Sequence, residues 1–212
     1  MSYNDHSLED EGEFQKLISL LPTLYPNVFG TCTFQQLPDR ALLLRWPGKQ
    51  EGDPAVMMAH YDVVPVNEEK WDKPPFAGVI EDGILWGRGT LDTKITLMGI
   101  LESAERLIKE GFVPQNDLYF AFAGDEEVNG TGAPAAVEVL KERGIHPAMV
   151  LDEGGAVVEG VFPGVTRPMA VVGIGEKGDG GYSDHRPQRG RPCKPSAPAQ
   201  CGRYPQPCGG CL

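Results

Sequence analysis

Short apolar runs of strand length alternate along the chain with segments whose apolar residues recur at helical spacing. The pattern predicts buried strands at residues 41–46, 55–59, 117–123 and 148–151, a hairpin over 79–86, and helices over 11–21, 93–110 and 133–143. Pro22 is expected to end the first helix. Strands that alternate with helices in this way are typical of a layered α/β fold.

Ionisable residues directly follow three of the predicted strands and one glycine-rich loop. They are His60 and Asp62 after the second strand, Asp92 at the loop–helix junction, Glu126 and Glu127 after the third strand, and Asp152 after the fourth. In open α/β sheets, ligands bind in the crevice beyond the carboxyl ends of the strands. Acidic residues at strand ends are often only caps or turn formers, but together these six predict one site.

The chemistry of this set indicates a divalent metal. Carboxylates that converge on one crevice repel each other unless cations neutralise them, and histidine with carboxylates suits zinc or another divalent ion. His60 and Asp62 leave a strand on the same side because side chains alternate along it. Asp62 can therefore fix the tautomer of a metal-bound His60.

Composition narrows the possible partners and the compartment. The chain has 212 residues, 41% of them hydrophobic, which is enough for one domain with a sizeable core. The net charge of −11 argues against nucleic acid or an anionic membrane as partner. No apolar stretch is long enough to span a bilayer, and the polar start lacks the features of a signal peptide, so a cytoplasmic protein is expected.

Four motifs in fixed order carry a family resemblance. They are AHYDVVPV at 59–66, GRGTLDTK at 87–94, AGDEEVNGTG at 123–132 and LDEGG at 151–155. Over roughly residues 13–177 the chain resembles the two-metal exopeptidases that include aminoacylase, the Gly-Xaa carboxypeptidases and dipeptidases. The resemblance implies a three-layer α/β/α catalytic domain with a central mixed, mostly parallel sheet.

The resemblance also implies a role for each site residue. The implied metal ligands are His60, Asp92, Glu127 and Asp152, with Asp92 bridging two divalent ions, for which zinc is the expected metal. Glu126 would be the general base, and Asp62 would orient His60. The implied reaction is hydrolysis of a peptide or N-acyl amino acid by a water that the two metals activate.

Two departures from the family pattern are visible. Thr93 stands where relatives often carry another acid, after a peptide bond that is frequently cis in them. These enzymes also need a further histidine ligand from late in the chain, and only His185 follows His146. We therefore expect residues 1–177 to be a partial catalytic domain without its lid and dimerisation domain, so no dimer through that domain is expected.

The last segment, residues 178–212, has a different composition from the rest. It is rich in glycine, proline and cysteine, and we expect a disordered, non-native tail left by truncation or a shifted reading frame. The chain alone would then be a weak or inactive hydrolase. Two alternatives stay open: an inactive remnant of the fold, and a zinc-binding module formed by the tail cysteines Cys193, Cys201, Cys208 and Cys211.

Overall fold

The computed structural model of the chain describes residues 1–174. Its helices are α1 (Glu11–Leu24), α2 (Pro26–Thr31), α3 (Ile95–Lys109) and α4 (Gly132–Glu142). Its strands are β1 (Thr33–Gln36), β2 (Leu42–Trp46), β3 (Ala55–His60), β4 (Val79–Glu81), β5 (Ile84–Trp86), β6 (Leu118–Ala123), β7 (Met149–Leu151), β8 (Ala156–Val158) and β9 (Met169–Val171). The predicted tail lies outside the described residues.

Five of these strands form a mixed sheet in the order β1-β2-β6-β3-β7. The pairs β1–β2 and β2–β6 are antiparallel, whereas β6–β3 and β3–β7 are parallel. In the parallel part, Met57 of β3 lies between Phe120 of β6 and Leu151 of β7. The predicted mixed α/β sheet is confirmed. The hairpin β4–β5 also forms as predicted, and it turns at Asp82 and Gly83 with φ of 51° and 78°.

Helices cover both faces of this sheet, because alternate residues of each strand point to opposite sides. Phe120 and Phe122 of β6 pack with α1, α2 and α3 in one buried cluster. Tyr119 and Ala121 of the same strand pack with α4 in another. Burying a large apolar side chain contributes about 1.5–3 kcal/mol, so the two clusters hold the layers together. The expected three-layer α/β/α arrangement is therefore confirmed.

The first helix differs from the prediction at its end. It runs through Pro22 to Leu24. The i→i−4 hydrogen bonding continues after Pro22, because Tyr25 N donates to Leu21 O at 2.9 Å. Proline at this position removes the backbone donor that would bond the carbonyl of Ile18, and its ring crowds that carbonyl, so it carries a cost. Leu21 is 2% exposed, so burial of the apolar face outweighs that loss. The prediction that Pro22 ends the helix was wrong.

A carboxylate of α3 caps the short helix α2, and we predict a stability effect from it. Glu105 accepts Asn27 N at 3.1 Å and Val28 N at 2.9 Å. We expect Glu105→Gln to lower the free energy of unfolding by about 1 kcal/mol at pH 7, the usual contribution of a helix N-cap. Urea denaturation of the full chain measures this change.

The pH dependence of this effect has a definite sign. Burial raises the pKa of Glu105, but the backbone donors outweigh burial and leave it below its ordinary value of 4.5. A lowered folded pKa stabilises the fold above the unfolded value and loses that contribution as pH falls through the folded value. The penalty of Glu105→Gln should therefore shrink in acid. The exposed Glu51→Gln is the matched control, and an equal penalty there would contradict the capping role.

Candidate metal centre

Three parallel strands deliver the site residues to one edge of the sheet. β3 ends at His60, which pairs in register with Ala123, the last residue of β6. β7 ends at Leu151, on the other side of β3. The chain segments that follow these strands therefore leave the sheet side by side. The crevice predicted from the sequence would lie at this edge.

His60 is the centre of the arrangement and is 2% exposed. Its Nδ1 lies within hydrogen-bond distance of the backbone oxygen of Asp62, at 3.3 Å, and is also 3.3 Å from Asp62 Oδ1. Its Nε2 lies 3.1 Å from Asp92 Oδ1, 3.2 Å from Glu153 Oε1 and 3.7 Å from Glu126 Oε2. One ring nitrogen is thus held by a buried carboxylate, while the other faces a group of carboxylates from three segments.

Two overlapping sets of side chains fit a divalent ion. One set is His60, Asp92 and Glu127, and the other is His60, Glu126 and Glu153. Within each set the ligand atoms lie within 4.8 Å of one another. An imidazole nitrogen with carboxylate oxygens is a donor set that zinc and similar divalent ions bind. The residues present therefore fit the metal that the sequence indicates.

The structure brings together five of the six residues singled out from the sequence and leaves one apart. Asp152 is exposed and is in neither set, and its Oδ1 accepts the backbone N–H of Glu153 at 2.9 Å. Glu153 occupies the position beside His60 instead, with its side chain 27% exposed. Sequence reasoning missed Glu153. The pair Asp152-Glu153 after a strand signals one inward carboxylate without indicating which of the two it is.

Asp92 stands in a tight turn between a glycine-rich loop and α3. Residues Thr90–Lys94 form a π-helical turn that starts after Gly89, whose φ is +86°. The peptide bond between Asp92 and Thr93 is cis. Thr93 is 2% exposed, and its Oγ1 lies 2.7 Å from Oγ1 of Thr96. The Asp92 side chain is 64% exposed and reaches into the crevice towards His60.

Crowded carboxylates shift the acidities of the site. Burial alone would lower the pKa of His60, but its hydrogen bond to Asp62 and the charges of Glu153 and Glu126 raise it to about 9. Burial raises the pKa of Glu126, and the nearby charges of Glu127 and Glu153 add to this, against His60. Burial and the charge of Asp92 likewise raise the pKa of Glu127. The site therefore carries an excess of negative charge, which is the condition in which a bound cation is favoured.

The loop after β6 presents Glu126 and Glu127 in one 3-10 turn, Glu126–Val128, called here the glutamate turn. Glu126 N donates to Asp62 Oδ1 and Glu127 N donates to Asp62 Oδ2, each at 3.1 Å. The Glu126 side chain is 52% exposed, so it can reach water and a bound molecule.

No helix among residues 1–174 has the length and apolar character needed to cross a membrane.

Known proteins with similar sequences are larger than this chain. An N-fatty-acyl-amino acid synthase/hydrolase of Xenopus tropicalis is 40% identical over 179 residues, which are 82% of this chain and 34% of that protein. A probable carboxypeptidase S-like protein of Dictyostelium discoideum is 41% identical over 173 residues, 79% of this chain and 33% of that protein. The chain thus spans about a third of the length of the curated relatives it matches.

Solved structures share the fold at low sequence identity. A metallo-carboxypeptidase of the M20 family from Sulfolobus solfataricus superposes with a TM-score of 0.56 at 20% identity, over 71% of this chain and 33% of that one. Human carnosine dipeptidase 1 gives a TM-score of 0.57 at 17% identity, over 72% and 36% of the two chains. The sequence profile of peptidase family M20/M25/M40 matches residues 56–200, more than half of the chain. The chain therefore belongs to peptidase family M20/M25/M40.

Proposed function

We propose that this protein is a metal-dependent hydrolase that cleaves the amide bond of a peptide or an N-acyl amino acid. The observation that carries the proposal is the buried His60, whose Nε2 faces Asp92, Glu126 and Glu153 within 3.7 Å. The names of the sequence relatives, a fatty-acyl-amino acid hydrolase and a carboxypeptidase, agree with this reaction class. Both substrate classes contain an amide bond next to a free carboxylate.

Four side chains would hold the metal. They are His60, Asp92, Glu127 and Glu153, and by the family resemblance Asp92 would serve both of two ions. Zinc suits these nitrogen and oxygen donors. When bound, such ions supply a Lewis acid that polarises the scissile carbonyl. The remaining steps fall to the protein's own side chains.

Glu126 is the residue that we propose as general base. Its side chain is 52% exposed, so a water molecule can reach it. Burial and the neighbouring carboxylates raise the pKa of Glu126, which makes it a better proton acceptor than an ordinary glutamate. It would take the proton of the attacking water and deliver it to the leaving amine. Asp62 keeps the imidazole of His60 in the orientation that aims Nε2 into the crevice.

A direct assay tests the proposal. Purified chain is incubated with zinc and then with a panel of Gly-Xaa dipeptides and N-acyl amino acids, and free amino acid is quantified. Because the chain spans only about a third of its relatives, we expect weak hydrolysis that requires the metal and stops when a chelator removes it. Stoichiometric metal uptake with no hydrolysis of any substrate on the panel would contradict the hydrolase and leave a metal-binding protein.

The sequence implies Asp152 as a metal ligand, whereas the structure places Glu153 beside His60. Substituting each of the two residues in turn tests which one binds the metal. Glu153 Oε1 is 3.2 Å from His60 Nε2, whereas the Asp152 side chain points to the backbone of Glu153. We expect Glu153→Gln to weaken zinc binding by about 100-fold or more, because loss of a ligand exceeds the 10–100-fold cost of losing an outer-shell partner. Asp152→Asn should change it little. Equilibrium dialysis with metal analysis measures both, and the reverse order would return the role to Asp152.

A further inference from the structure

Asp62 has partners that its expected role does not use. Its side chain is fully buried at 0% exposure and lies beside His60. It also accepts the backbone N–H groups of Glu126 and Glu127, which lie 64 and 65 residues further along the chain. The two carboxylate oxygens thus take one glutamate amide each. This bidentate contact joins the end of β3 to the loop after β6.

We propose that Asp62 is the positioning residue of the glutamate turn, in addition to orienting His60. The same carboxylate then sets both the direction of the imidazole and the place from which Glu126 and Glu127 enter the crevice. The inference deepens the proposed function, because it matters for hydrolysis only if those glutamates act as proposed. The hydrogen bonds themselves do not depend on that function.

The electrostatics agree with a tightly held carboxylate. The Asp62 carboxylate is fully buried, and each of its two oxygens accepts one backbone N–H at 3.1 Å. Hydrogen bonds to a buried ion are worth more than neutral ones, and leaving such an ion without partners is costly. A buried Asp62 carboxylate therefore favours the turn conformation that supplies its two donors.

A second buried carboxylate, that of Asp125, connects the same loop to the start of α4, so an Asp125 variant serves as a control. Asp125 is 6% exposed, and its Oδ2 accepts Gly132 N at the start of α4 at 3.0 Å. Its backbone oxygen accepts Gly130 N at 2.9 Å, and a Cβ at Gly130 would overlap the Asp125 carboxylate. Asp125 thus closes the loop behind the turn without touching the amides of Glu126 and Glu127. The two aspartates hold different backbone groups.

Residue-resolved amide exchange on the full, metal-free chain tests the proposal. Asparagine at position 62 keeps one acceptor oxygen but presents an N–H₂ group to the other amide. We expect Asp62→Asn to speed exchange of the Glu126 or Glu127 amide by about tenfold or more, as loss of a charge-assisted hydrogen bond predicts. His60→Gln should leave both amides protected, because Asp62 keeps its backbone donors.

The control variant has its own expected pattern. Asp125→Asn should speed exchange at Gly132 and leave Glu126 and Glu127 as slow as in the unmodified chain. Unchanged protection of both glutamate amides in Asp62→Asn, or equal loss of protection in His60→Gln or Asp125→Asn, would overturn the proposal. Exchange is measured without metal or substrate, so a failure of the hydrolase assay and a failure of this inference are separate results.

A second measurement covers the case in which Asp62→Asn does not fold. In the unmodified chain, labelled with ¹³C and ¹⁵N, a scalar coupling across the hydrogen bond should connect the Asp62 carboxyl carbon with the amide nitrogens of Glu126 and Glu127. Detection of that coupling supports the proposed contact between Asp62 and the glutamate turn. Its absence in a spectrum that shows the corresponding couplings between β3 and β6 overturns it.

Discussion

Glu126→Gln should lower the rate of amide hydrolysis by about 10²–10⁴-fold, the usual contribution of general acid–base catalysis, while leaving metal binding nearly intact. The reason is that an amide side chain keeps the size of Glu126 but cannot accept the water's proton. The half-exposed position of Glu126 and the upward shift of its pKa fit a group that handles protons. Steady-state kinetics on the best substrate of the panel, with metal content measured in parallel, gives both quantities.

Glu127→Gln is the matched control, because it makes the same chemical change at the next residue. Glu126 and Glu127 each lie in one of the two candidate ligand sets. The family resemblance implies Glu127 as the ligand and Glu126 as the base, so the Glu127 variant should lose metal as well as activity. The two variants therefore separate a base from a ligand. Loss of metal in Glu126→Gln with retention in Glu127→Gln would show that the two roles are reversed.

The proximity of His60, Glu126 and Glu127 could be predicted from the sequence, and the structure shows why. His60 ends β3, and Glu126 and Glu127 follow β6, its parallel neighbour. Apolar runs of strand length are visible as patterns, and the carboxyl ends of parallel strands share one edge of a sheet. Residues just after two such runs must then lie near each other. The prediction needed only the strand positions and the direction of pairing.

The choice between neighbouring residues could not be read in the same way. Asp152 and Glu153 are both acidic and both follow β7, so the residue pattern does not distinguish them. Which one turns inward depends on the backbone dihedrals after the strand, and on the hydrogen bond that Asp152 accepts from Glu153 N. The second role of Asp62 was hidden for a similar reason. Its partners are backbone amides, which every residue except proline has.

The continuation of α1 through Pro22 reflects a different limit of sequence reasoning. The sequence shows only the local cost of Pro22, which is the loss of one backbone N–H donor. The helix end is decided by the sum of that cost and the burial of residues such as Leu21 and Tyr25, each 2% exposed. Burial is a property of the assembled layers, so it cannot be judged from the helix segment alone.

Asp92→Ala should have the largest effect on metal content. Asp92 Oδ1 is 3.1 Å from His60 Nε2, and Asp92 shares a candidate ligand set with His60 and Glu127. A carboxylate between two ions serves both, so its removal weakens both positions together. We expect affinity for zinc to fall by more than the roughly 10–100-fold that loss of an outer-shell partner costs. Equilibrium dialysis followed by metal analysis of the full chain measures the change.

The fold should survive this substitution, which makes the result interpretable. The Asp92 side chain is 64% exposed, and its removal opens no buried cavity. Circular dichroism should therefore match the unmodified chain. Asp72→Ala, at an exposed loop position, is the control for loss of one negative charge. If Asp92→Ala binds zinc with unchanged stoichiometry and affinity, Asp92 is not a bridging ligand and the two-metal arrangement is wrong.

The metal and the base would act on the same water. Hydrolysis by Asp92→Ala should therefore fall in parallel with its metal content, whereas Glu126→Gln should lose hydrolysis and keep its metal.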